Sequence, residues 1–125
     1  MNQKLVFVYN AKSGFFNAVT DLVHKSIKPS TYPCDLCRIT FDSLTMNKIW
    51  KKYIHNLAIP SEFLHKDEFK KKYPKVIANY PVVLLFDDKR HKTLISSQDF
   101  SQLNDVVEII NLLNSKLKGN VHTKN

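Results

Sequence analysis

Val82-Val83-Leu84-Leu85-Phe86 is the run that most limits the fold. Five consecutive apolar residues do not alternate, so the run reads as a strand buried on both faces. A strand of that kind needs cover on each side, and helices are the usual cover in α/β proteins. The run is opened by Tyr80-Pro81 and closed by Asp87-Asp88, which bound it sharply. Lys92-Thr93-Leu94-Ile95-Ser96 follows the polar turn 87–91 and reads as the return strand of a hairpin.

The rest of the chain supplies the other layers. Lys4–Tyr9 is a second apolar, β-branched and aromatic run, read as a buried strand. A helix is expected from Ser13, its cap, to Lys28 before Pro29, with Phe15, Val19, Leu22, Val23 and Ile27 as its core stripe. A short strand is expected at Arg38–Phe41. A second helix is expected over 43–57, capped by Asp42 or Ser43, with Met46, Ile49, Trp50, Tyr53, Ile54 and Leu57 facing the core. Glu62–His65 reads as a strand. Asp67–Tyr73 reads as a short helix, acidic first and basic last, as the helix dipole prefers. A last helix is expected over 101–118, stopped by Gly119, with Leu103, Val106, Val107, Ile110, Leu113 and Leu117 buried and Ile109 and Leu112 outside the stripe. The chain therefore reads as one α/β domain over 1–119 with a tail at 120–125.

Composition narrows the function classes. The chain has 125 residues, 43% of them hydrophobic, enough for a core without staples. Two glycines, Gly14 and Gly119, leave no glycine-rich loop to cradle phosphates. Neither a signal peptide nor a membrane-spanning apolar stretch is legible, so a cytoplasmic location and no membrane partner are expected. The net charge of +8 comes with basic clusters at 51–52, 70–72 and 89–92. Their neighbouring aromatics, Trp50 and Tyr53, fall on a core stripe, so a solvated lysine surface is expected rather than nucleic-acid binding.

Reactive chemistry concentrates in Thr31-Tyr32-Pro33-Cys34-Asp35-Leu36-Cys37-Arg38, which holds both cysteines. A Cys-x-x-Cys pair can exchange a disulfide with a partner protein, with Cys34 attacking, Cys37 resolving and Lys25 and Arg38 favouring the thiolate. It can instead supply two sulfur ligands to zinc or copper, completed by His24, His65 or a second chain. It can also be structurally inert. The widely spaced histidines offer no compact ligand pair to complete a zinc site. No cofactor is needed for the redox reading, and a monomer or homodimer is expected.

The order of elements, a central mixed sheet ending in a hairpin and a final helix, resembles the thioredoxin layout. That resemblance implies a three-layer domain and a cis-proline at Pro81 facing the active site. It also implies a dithiol directly after the first strand, where this chain has Ala11-Lys12-Ser13-Gly14 instead. The chain further resembles a group of small uncharacterised bacterial proteins, some labelled GTPase. The likeness runs through Tyr9-Asn10-Ala11 with Ser13-Gly14, His24-Lys25, Thr31-Tyr32 with Cys34 and Cys37, Trp50, and Phe63-Leu64-His65 with Asp67-Glu68-Phe69. It implies that Asn10, Ser13, Gly14, His24 and Lys25 belong to a ligand site. The ends of strands in open α/β sheets are where such sites form. Each residue also has a plainer reading: Ser13 as a cap, Asp67 and Glu68 as dipole partners, His24 and His65 as surface.

Overall fold

A computed structural model of the chain describes residues 3–11, 35–42, 45–88 and 90–120. β1 (Gln3–Tyr9) is central and buried from Leu5 to Tyr9. β4 (Ser61–His65) pairs with it in parallel, Phe7 opposite Phe63 and Tyr9 opposite His65. β5 (Val82–Asp87) pairs with its other side in antiparallel, Val8 opposite Val82. β6 (Arg90–Ile95) completes the hairpin, giving a mixed sheet ordered β4-β1-β5-β6. The expected α/β class with a central mixed sheet is therefore observed.

The uninterrupted apolar run of β5 is explained by cover on both faces. Leu5, Phe7, Tyr9, Val83 and Leu85 join one buried cluster with Trp50, Phe100, Ile109 and Leu113. Val6, Val8, Val82 and Leu84 join another with Phe69. Neighbouring Leu94 and Ile95 both belong to the first cluster. The register shift between Val83 and Leu84, which pair with Ile95 and Thr93, leaves Leu94 as the extra residue of a bulge. At the hairpin tip Asp88 has φ 57, a left-handed conformation that Asp tolerates better than most residues.

Several helical expectations are corrected. Residues 35–40 form a helix, α1 (Asp35–Thr40), and only Phe41–Asp42 is strand, β2. The buried positions Leu36, Ile39 and Thr40 are spaced for one helix face, and burial of that face overrides the β preference of Ile39-Thr40-Phe41. β2 pairs with β3 (Thr45–Met46), and the second helix starts later than expected, as α2 (Lys48–His55). Its cap is Asn47 rather than Asp42 or Ser43; the Asn47 Oδ1 accepts from the N–H groups of Ile49 and Trp50 at 2.9 and 3.2 Å. Trp50 is fully buried, but Ile49 is 59% exposed and not core. α3 (Lys66–Lys72) carries Asp67 and Glu68 first and three lysines last, as read.

The last helix starts later than expected, and a short helix stands before it. α4 (Ser97–Ser101) begins at a capping box in which Ser96 and Asp99 bond each other's backbone N–H. α5 (Val106–Asn120) begins after Asp105, whose carboxylate accepts the Glu108 N–H at 2.9 Å, and it runs through Gly119. The break resets the helix phase. Ile109 is fully buried and Val107 is 55% exposed, the reverse of the expected stripe. The expected helix after Ser13 and the tail from 121 lie outside the described residues.

On the face of the second cluster, Lys4 donates to Tyr73 Oη at 2.8 Å and pairs with Glu62 Oε1 at 2.9 Å. Lys72 also pairs with Glu62. Burial alone would raise the Glu62 pKa, but bonds from Lys72 and Lys4 outweigh it and hold the carboxyl below its ordinary value. The bond to Tyr73 and then that to Glu62 raise the Lys4 pKa. A lowered carboxyl pKa contributes stability above the ordinary value of about 4.3 and loses it as pH falls through the folded value. Lys4 contributes stability below its ordinary value and loses it as pH rises through the folded one. Both lysines are partly solvated, which limits the pair to about 0.5–1 kcal/mol. Glu62→Gln is accordingly expected to lose about 0.5–1 kcal/mol at pH 7 and less and less as pH falls through the folded value of Glu62, read by urea unfolding across that fall.

Candidate functional site

β1 and β4 run in parallel and end side by side, so Tyr9-Asn10-Ala11 and His65-Lys66 emerge together. The Lys66 backbone N–H donates to Ala11 O at 3.0 Å, and its Nζ donates to Asn10 Oδ1 at 3.3 Å. The His65 ring lies 5.5 Å from the ring of Tyr9. Its Nδ1 stands 2.8 Å from Glu68 Oε1, and the same oxygen accepts the His65 backbone N–H at 2.8 Å. The backbone bond first, then the imidazole bond, hold the Glu68 carboxyl below its ordinary pKa.

A neutral imidazole that meets a carboxylate at Nδ1 donates from that nitrogen and keeps Nε2 as its basic atom. His65 Nε2 is buried. A carboxylate on the far nitrogen is also how ligating histidines are oriented. His65 and Glu68 form a dyad only: among the described residues no group of three or more His, Cys, Asp or Glu comes together to hold a metal.

β5 starts at this same end of the sheet. The Tyr80–Pro81 peptide is cis, and Pro81 is buried just before Val82, which pairs with Val8. A depression of about 240 Å³ lies beside it, lined by Ile77, Ala78, Asn79, Val82, Thr93 and Ser96 to Gln98. Ile77 on its rim is 97% exposed.

Of the residues singled out from sequence, Asn10, His65 and Pro81 lie at this end of the sheet. Cys37 lies in α1, which packs on α4, and α4 leaves β6 at the same end. Leu36 of α1 shares its buried cluster with Tyr9 and Ala11. Ser13, Gly14, His24, Lys25 and Cys34 lie outside the described residues. Lys66 was missed by sequence reading. Its partnership with Asn10 arises from the parallel register of β1 and β4, which no local pattern announces.

Comparison with models of known families, with curated proteins and with solved structures finds no match. Among the described residues no helix is long and apolar enough to cross a membrane.

Proposed function

We propose that this chain is a thiol–disulfide redox protein of thioredoxin-like plan, acting in the cytoplasm on a protein thiol partner, with Cys34 attacking and Cys37 resolving. The observation that carries the reading is the mixed sheet ordered β4-β1-β5-β6, closed by an antiparallel hairpin that a helix follows, as in the thioredoxin layout. Further support comes from the place of Tyr80-Pro81 just before β5, where that layout keeps a proline facing the reactive dithiol. The dithiol stands later in the chain than in that layout, and its Cys37 belongs to the short helix α1.

A second reading has one observation in its favour. The Glu68 carboxylate on His65 Nδ1 suits a histidine that completes a zinc or copper site with Cys34 and Cys37. Thiol titration across a reduced/oxidised glutathione series, with metal analysis of protein purified without chelator, separates the two. The redox reading expects an intramolecular disulfide at cytosolic potentials and no stoichiometric metal. A dithiol that stays reduced throughout, with one zinc per chain, transfers the assignment to the metal site.

A further inference from the structure

On the outer face of α2 the last turn carries Lys52 and His55, as the helix dipole prefers, but the first turn and the like-charge spacing are unfavourable for an isolated helix. Lys48, Lys51, Lys52 and His55 recur at three- and four-residue spacing and are all exposed. They form one stripe opposite the core stripe of Trp50, Tyr53 and Ile54. Lys48 sits in the first turn, where the helix dipole favours an anion, and the helix has no acidic residue there. Lys48 repels Lys51 and Lys52 across single helical turns. Among the described residues none of the three lysines has an ion-pair partner. Ile49, 59% exposed, flanks this stripe.

Locally unfavourable choices without a structural compensation are expected where a surface serves a function. We infer that the outer face of α2 docks an acidic segment of a partner protein, whose carboxylates meet Lys48, Lys51 and Lys52 and whose apolar side chain covers Ile49. Charge complementarity selects an anionic occupant. The nearby aromatics select protein over nucleic acid. Trp50 is fully buried and Tyr53 Oη donates to Asn114 Oδ1 at 2.7 Å, so neither offers a stacking platform. An eight-residue helix whose apolar stripe already belongs to the core has little to insert in a lipid surface. This inference goes beyond the redox reading and holds whether or not the dithiol is reactive.

The test uses the full chain and a fluorescein-labelled peptide alternating glutamate with leucine, read by fluorescence anisotropy at low salt. Lys51→Glu with Lys52→Glu is expected to weaken binding at least tenfold. Lys70→Glu with Lys71→Glu, the same charge change on exposed positions of α3, is expected to change it less than twofold. Ile49→Ser is expected to weaken it at least threefold. Equal losses from the two double variants would assign the attraction to net charge and overturn the proposal. Tighter binding of single-stranded DNA or of anionic vesicles than of the peptide, or no effect of Ile49→Ser, would overturn it too. Should the glutamate pair fail to fold, Lys51→Gln with Lys52→Gln carries the same comparison.

Discussion

Trp50→Ala is expected to lower the unfolding free energy by about 3–5 kcal/mol, enough to leave a domain of ordinary stability partly unfolded. Trp50 is the largest fully buried side chain, and it bridges α2 to the sheet. Its ring meets Phe7 edge-on at 5.7 Å and stacks on Tyr53 at 5.8 Å. Phe7 in turn stacks on Phe63 at 4.5 Å, so one aromatic chain joins helix, central strand and edge strand. Truncation removes both ring contacts and leaves a cavity that the paired strands cannot close by collapsing. Trp50→Phe should cost far less. The Trp50 Nε1 is buried with no hydrogen-bond partner among the described residues, so its removal relieves an unmet donor while most ring area stays. Urea unfolding followed by circular dichroism decides this. An alanine variant within about 1 kcal/mol of the parent would show that this aromatic chain is not what couples α2 to the sheet.

The other large effect concerns the two cysteines and follows from the redox reading. Cys34→Ser is expected to abolish exchange with a disulfide substrate, because the thiolate that opens the partner's S–S bond is removed and Cys37 only resolves. Cys37→Ser is expected to stop one step later. The Cys34 thiolate displaces one partner sulfur as thiolate and stays joined to the other as a mixed disulfide. The resolving attack, which would release the second partner thiolate and close Cys34 to Cys37, is missing. Non-reducing electrophoresis after mixing with a disulfide-containing protein should show a persistent conjugate for Cys37→Ser and none for Cys34→Ser. The reverse pattern exchanges the two roles, and conjugates from neither variant remove the redox reading. Serine at both positions should leave the fold within about 1 kcal/mol of the parent, since the many large apolar side chains of the two clusters dominate the burial. A loss above about 3 kcal/mol would point to a structural metal, whose binding free energy is folding free energy.

The helix caps at Ser96 and Asp105 show how a signal present in the sequence can be overlooked. Ser96-Ser97-Gln98-Asp99 and Asp105-Val106-Val107-Glu108 both carry an oxygen-bearing cap with an acid three residues on. Together they announce two starts, yet the apolar repeat from Leu103 reads across the second, and the first is passed over. Backbone N–H groups at a helix start must find acceptors, and Asp105 and Asp99 provide them. Placement of Ile109 inside and Val107 outside follows from that second start.

What the sequence determined by itself is what depends on neighbours along the chain. The unbroken apolar run of β5, the hairpin after it, the acidic-to-basic order of α3 and the inward face of Trp50, Tyr53, Ile54 and Leu57 are all periodic or compositional, and each is observed. Tertiary structure alone decided the rest. Residues 35–40 became helix because Leu36 and Ile39 could be buried on one face, against their neighbours' preference for strand. Pairing of β1 with β4, 52 or more positions away in the chain, brought Asn10 to Lys66 and Tyr9 to His65. The same sheet order set Pro81 at the same end of the sheet. Strand partners are chosen by which apolar faces can be covered together, a global condition that leaves no mark on the few residues that end up forming the site.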